Sequence, residues 1–209
     1  MYNIPNLLSL SRLVTTALIF VLVLLNAPWA FLTATFLFVL AAVSDFFDGY
    51  LAQRLKVVSP LGVFLDLTAD KVFVSTILIA LVQIGLVPAW VVVIIVAREF
   101  LVTGLRSMAA AKGKVIPAGM WGKQKTLITM TAMGAILLAK GLGAHQLSLF
   151  PPMLSFTSQT LNAGEILLLV GEAGLILAVL WTALSGMEYM ISALPLLQGE
   201  QEGSNTHNA

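Results

Sequence analysis

Apolar residues run along this chain in six long blocks, near 7–26, 29–54, 60–85, 87–111, 119–141 and 164–194. Each is close to the length of about 20 residues that spans a bilayer as a helix. Pro28, Gly85 with Pro88, Pro117 and Gly141 to Gly143 separate the blocks, and these are residues that end helices or turn the chain. The pattern predicts an all-α, polytopic membrane protein with six transmembrane helices in one domain over 1–197. The first block, Leu7 to Leu25, has neither a basic N-region nor a small-residue cleavage site, so it reads as a retained helix and not a signal peptide. The stretch from Gly141 to Gly164 carries Pro151-Pro152 and stays fairly apolar; it is expected at the membrane surface. Residues 198–209, Q-G-E-Q-E-G-S-N-T-H-N-A, read as a disordered polar tail.

Composition strengthens the membrane reading. The chain is 59% hydrophobic and 10% charged, with mean hydropathy +0.97, whereas soluble domains carry about 25% charged residues. Cysteine is absent, which excludes disulfides, thiolate metal sites and a cysteine nucleophile. His145 and His207 are too few and too far apart for a histidine zinc site. Basic residues set the orientation. Arg12 lies near the first terminus, Arg54 and Lys56 between blocks two and three, and Lys112, Lys114, Lys123 and Lys125 between blocks four and five; the opposite side offers only Lys140. Both termini are therefore expected in the cytoplasm.

All four aspartates fall in one window, S-D-F-F-D-G-Y-L-A-Q-R…P-L-G-V-F-L-D-L-T-A-D-K. A carboxylate at the centre of a membrane helix costs roughly 2.5–3.5 kcal/mol, so four of them demand a polar cavity, protons or bound cations. Asp45 and Asp48 are three apart, and Asp66 and Asp70 four apart, so each pair shares one helix face. Consecutive antiparallel spans would bring both pairs to one depth, about 10 Å from the connecting turn. Four carboxylates at one level suit divalent cations, with two ions expected, and all-oxygen ligation favours Mg²⁺, Mn²⁺ or Ca²⁺ over zinc. Buried ion pairs with Arg54, Lys56 and Lys71 are the plainer alternative. Gly49, Ala52 and Gly62 flank the acids, making room for a flat ligand or simply for close helix packing.

A basic surface accompanies the acids. Arg98 lies well inside the fourth block, in A-R-E-F-L-V-T-G-L-R, with Arg106 about two turns further on, and W-G-K-Q-K-T adds Lys123 and Lys125. Positive-inside bias explains the loop lysines but not Arg98, which must face the bundle interior or a wet cavity. Glu99 is expected to orient Arg98. The cations form a funnel suited to a phosphate-bearing soluble molecule. A metal cluster beside a phosphate pocket points to phosphoryl transfer between a lipid and a soluble partner. An aspartate near the acceptor hydroxyl would take its proton.

D-x-x-D-G-x-x-A followed by G-x-x-x-D-x-x-x-D, here Asp45, Asp48, Gly49, Ala52, Gly62, Asp66 and Asp70, resembles the motif of the CDP-alcohol phosphotransferases. N-I-P-N-L-L-S-L-S-R, R-E-F-L-V-T-G-L-R and G-K-Q-K-T resemble the phosphatidylglycerophosphate synthase branch, and the likeness weakens after about Lys140. One position departs: Gln53 stands where the family usually has Arg, with Arg54 next. The resemblance implies transfer of a phosphatidyl group from CDP-diacylglycerol to sn-glycerol 3-phosphate, giving phosphatidylglycerophosphate and CMP. It implies that Asp45, Asp48, Asp66 and Asp70 hold two Mg²⁺ or Mn²⁺ ions and that Asp70 is the general base. By the same likeness Asn6, Gly49, Ala52, Gln53, Ser59 and Gly62 border the CDP-lipid, and Arg98, Arg106, Lys123 and Lys125 grip the acceptor phosphate. A homodimer in a bacterial inner (plasma) membrane, with a cytoplasm-facing polar cavity and no nucleic-acid partner, completes the expectation. The rivals are a sister enzyme using inositol phosphate or serine, and a divalent-cation transporter.

Overall fold

The computed structural model of the chain describes residues 4–55, 60–111, 120–144 and 162–204, with side chains at 10–44, 62, 67–111, 124–144, 162–187 and 190. These residues form six helices: α1 Ile4–Leu24, α2 Pro28–Leu55, α3 Pro60–Gln83, α4 Ala89–Ala111, α5 Met120–Gly141 and α6 Ala163–Ser204. The described residues hold no strand.

The helix ends follow from local chemistry. Pro5, Pro28 and Pro60 fall in the first turns of α1, α2 and α3, and Pro88 immediately precedes α4. Proline is tolerated there because the first amides of a helix have no internal acceptor. Gly85, at φ 75°, ends α3. The Gly85 amide donates to the Val82 carbonyl at 2.9 Å and the Leu86 amide to Leu81 at 3.0 Å, the paired bonds of a Schellman cap. Gly143, at φ 83°, closes α5 the same way, with the Ala144 amide on the Ala139 carbonyl at 3.0 Å. At the start of α6 the Asn162 amide donates to Glu165 Oε2 at 3.4 Å, the reciprocal half of a capping box.

α6 runs on to Ser204, which corrects the expectation of a disordered tail over 198–204. The glutamines and glutamates there are good helix formers and extend a helix already nucleated. Residues 205–209 lie outside the described residues.

The helices close into a ring. α1 packs between α2 and α3, α2 on α5, α5 on α6, α6 on α4, and α4 on α3, while α3 and α5 touch across the middle. α2 and α3, although consecutive, make no close backbone approach among the described residues. They meet instead through Phe38 and Phe73, whose rings stack with centroids 5.4 Å apart and planes 18° from parallel. Both rings are buried in a core that includes Ile19, Phe31, Ile77, Leu81, Met133 and Ile136.

That stack fixes direction and register. Parallel helices would put Leu55 and Pro60 about 45 Å apart at 1.5 Å per residue, and five residue steps reach at most about 18 Å. α2 and α3 are therefore antiparallel. Positions 45 and 66 each lie seven residues from their ring, about 10 Å along the axis and on nearly the same helix stripe. Position 48 stands about one turn nearer the connection, and position 70 one turn from Phe73.

The outside of the ring is apolar. Val14, Leu18, Phe36, Ile79, Val93, Phe100, Leu127 and Leu184 are all more than half or close to half exposed. Ala163–Met187 is the one described helical segment long and apolar enough to cross a membrane by length and composition; Leu10–Leu24 and Pro28–Ser44 are apolar but shorter.

Candidate active site

Asp70 is half-buried on α3 and lines a cavity of about 390 Å³, open mouth included. Its polar wall comes from Asp70, Lys71, Ser75, Glu99, Lys125, Thr126 and Thr129, and its apolar wall from Val74, Ile95 and Val96. The site therefore forms where α3, α4 and α5 come together across the ring. α4 supplies Ile95, Val96 and Glu99 at helical spacing, so these three project from adjoining faces of one helix.

Glu99 is the hub. Its Oε1 accepts from Arg98 Nη1 at 2.9 Å and from Lys125 Nζ as a close ion pair. Lys125 is almost fully buried, and the Arg98 side chain is 12% exposed. A buried cation is tolerated only when paired, and here one carboxylate serves two. The triad carries a net charge of +1 at the cavity wall, and Asp70 acts on Lys125 through its charge. Backbone carbonyls one turn back are occupied as well: Thr103 Oγ1 donates to the Glu99 carbonyl at 2.7 Å and Thr129 Oγ1 to the Lys125 carbonyl at 3.0 Å.

Arg98 does not line the cavity. Its Nη2 turns to α6 and donates to Ser185 Oγ at 2.9 Å. Arg106, two turns on, is exposed and also stands outside the cavity lining. Eight residues rotate a helix by about 80°, enough to carry position 106 off the face that holds position 98. Lys123 lies in the first turn of α5, Asn6 in the first turn of α1, and Asp45, Asp48, Gly49, Ala52, Gln53 and Arg54 in the last turns of α2. The side chains of these residues and of Asp66 are outside the described ones, and Ser59 lies outside the described residues altogether. Gly62 sits in the first turn of α3, half-buried.

Ser185 of α6 reaches Arg98 from outside the cavity. Ser185 and Thr182 are buried, and Ser185 Oγ donates to the Thr182 carbonyl at 3.3 Å. A hydroxyl pair at i, i+3 in the apolar stretch Leu175–Met187 was the available signal, but nothing in the sequence tied it to Arg98. Glu172 is fully buried within this protomer, and Lys140 Nζ donates to the Ala144 carbonyl at 2.9 Å.

The profile of the CDP-alcohol phosphatidyltransferase family matches residues 2–171. The chain belongs to that family. Among its relatives, a Bacillus subtilis (strain 168) protein is 37% identical over 201 residues, covering 90% of this chain and 94% of the relative. A Pseudomonas fluorescens protein is 34% identical over 94% of this chain and 92% of its own length. One from Cereibacter sphaeroides is 33% identical over 96% and 99%. All three bear the name CDP-diacylglycerol–glycerol-3-phosphate 3-phosphatidyltransferase. Family membership covers the motif from Asp45 to Asp70 and both cations of the triad, and it stops short of Thr182 and Ser185.

Proposed function

We propose that this CDP-alcohol phosphatidyltransferase joins CDP-diacylglycerol to sn-glycerol 3-phosphate, giving phosphatidylglycerophosphate and CMP. The observation that carries the reading is that Asp70 of the family motif and Lys125 line one cavity. An acid able to accept a proton and a cation able to hold a phosphate thus face the same space. Near-full-length similarity to three bacterial proteins bearing that enzyme name supports the choice of acceptor.

In this reading the phosphate of glycerol 3-phosphate enters beside Lys125, drawn by the net positive triad. Ser75, Thr126 and Thr129 offer hydroxyls to the glycerol. Asp70 takes the proton of the attacking hydroxyl. A bond forms between that oxygen and the phosphorus bearing diacylglycerol, and the bond from this phosphorus to CMP breaks, the electron pair leaving with CMP.

The acids suit a divalent-metal site in their donor chemistry, and the backbone positions support that reading. Four carboxylates stand on two antiparallel helices whose register aligns positions 45 and 66, with 48 and 70 a turn or so to either side. Asp45, Asp48, Asp66 and Asp70 would hold two Mg²⁺ or Mn²⁺ ions, which neutralise diphosphate charge when bound. Gly49, Ala52, Gln53, Ser59, Gly62 and Asn6 are assigned to the CDP-lipid, and Arg106 and Lys123 to the approach of the acceptor.

We read all six helices as membrane-spanning, with the cavity mouth and both termini cytoplasmic, in a bacterial inner membrane. The outward apolar side chains on every helix support this, because a lipid-facing surface needs no polar cover. A homodimer through those faces belongs to the same proposal. The test is CMP release by the purified chain across a panel of acceptor alcohols. Release that requires CDP-diacylglycerol, divalent metal and glycerol 3-phosphate together supports the reading; release with inositol phosphate or serine in its place moves the chain to a sister reaction.

A further inference from the structure

Arg98 belongs to the family motif stretch but does not line the cavity; it is held by a residue that the family match does not reach. Its Nη2 donates to Ser185 Oγ at 2.9 Å and its Nη1 to Glu99 Oε1 at 2.9 Å. The hydroxyl hydrogen of Ser185 is turned to the Thr182 carbonyl at 3.3 Å, which leaves its lone pairs facing the guanidinium. Ser185 is thereby fixed as an acceptor. α6 is seated for this contact: Gly186 comes so close to Arg98 that an added Cβ would lie 3.3 Å from its Cγ. Glu99 Oε1 in turn takes Lys125, which lines the cavity. A continuous chain of contacts therefore runs from α6 through α4 to α5 and ends at the reaction space.

We infer that Ser185 is a positioning residue for acceptor binding: it anchors Arg98, so that one Glu99 oxygen is shared between two cations and Lys125 is presented to the acceptor phosphate in a fixed pose. The inference rests on the proposed reaction. If the anchor is lost, Arg98 loses the contact that ties it to α6, and the guanidinium is free to shift against Glu99. Lys125 then loses its single defined position. The acceptor feels this, because the acceptor phosphate is what Lys125 holds, while the CDP-lipid is bound elsewhere.

The experiment measures CMP release by the full-length protein in lipid nanodiscs, for wild type, Ser185→Ala, Ser185→Thr and Thr182→Val. Thr182 Oγ1 is buried and without a partner among the described residues, so Thr182→Val controls for change on the same helix face. Ser185→Ala is expected to raise the KM for glycerol 3-phosphate about tenfold, roughly one charge-assisted hydrogen bond. Its kcat should stay within about twofold, with the KM for CDP-diacylglycerol unmoved. Ser185→Thr, which keeps the hydroxyl, restores the acceptor KM, and Thr182→Val leaves it at the wild-type value. An independent readout is acylation of Lys125 by an amine reagent, followed by peptide mass spectrometry, which Ser185→Ala should accelerate. Equal acceptor KM in wild type and Ser185→Ala, or equal loss in Ser185→Ala and Thr182→Val, overturns the inference with the reaction intact. A wild-type protein that ignores glycerol 3-phosphate overturns the reaction and the inference with it.

Discussion

Phe38 of α2 lies against Phe73 of α3, and positions 45 and 66 each lie seven residues from their ring toward the connection between the two helices. Positions 45 and 66 stand about 10 Å along the helix axes from this apolar contact in the core. Phe38→Ala or Phe73→Ala should destabilise the protein by about 3–5 kcal/mol, read as thermal unfolding in detergent. The double substitution should cost less than the sum, by about 0.5–1.5 kcal/mol. Phe38→Leu should keep most stability yet raise the metal concentration needed for half-maximal CMP release. A metal requirement unchanged in every Phe38 variant would show that the stack does not set the acid register.

Asp70 is half-buried at the cavity and assigned the proton transfer. Asp70→Asn keeps the size and removes the base. Activity should fall by about a hundredfold or more with the unfolding midpoint within a few degrees of wild type. Retained CMP release would move the base to another residue.

Divalent metal is required in the proposed reaction. Chelation with EDTA should abolish CMP release, and Mg²⁺ or Mn²⁺ added back should restore it, because hard cations prefer the all-oxygen donor set. Restoration by neither ion would remove the metal assignment of the four aspartates.

Glu99 balances two buried cations, and its own side chain is 30% exposed. Glu99→Gln leaves Arg98 and Lys125 to repel across a neutral amide. Partial exposure softens the cost to about 1–3 kcal/mol. The acceptor KM should rise with it, and more than in Ser185→Ala, since both cations are released at once.

The α5–α6 interface depends on small residues. A Cβ at Gly171 would meet Ile136 Cγ1 at 2.7 Å, the Ala132 carbonyl oxygen at 3.0 Å and the Ile136 amide nitrogen at 3.1 Å. Two of these are backbone atoms and cannot rotate away, so Gly171→Ala should destabilise by about 1–3 kcal/mol. Gly104 on α4 has nothing within 4 Å of such a Cβ. Gly104→Ala should therefore stabilise by about 0.5–1 kcal/mol. Thermal unfolding of the two variants side by side checks the pair.

Helix number and limits were legible because each depends on nearby residues. Prolines open four helices, left-handed glycines close two, and the blocks between them are mostly apolar. Only the far end of α6 escaped, since a polar composition looks unstructured where a preceding helix can extend through it. The motif acids were legible for the same reason: fixed spacing on one helix is a local property.

The neighbours of a helix are not a local property. Chain order pairs α2 with α3, but the ring places α1 between them and sends α2 to α5. Pattern alone gave Arg98 and Lys125 one shared role, as grips on a phosphate. The fold joins them at Glu99 but turns Lys125 to the cavity and the far end of Arg98 to α6.

The sequence by itself determined the six helices, the acid motif and the family, because spacing along one helix and the cost of burying charge are written residue by residue. Tertiary structure alone decided that Glu99 is shared, that Ser185 reaches Arg98, 87 residues away, and that Phe38 and Phe73 stack. Those outcomes depend on which side chains meet across helices, and that is settled by packing a whole ring at once.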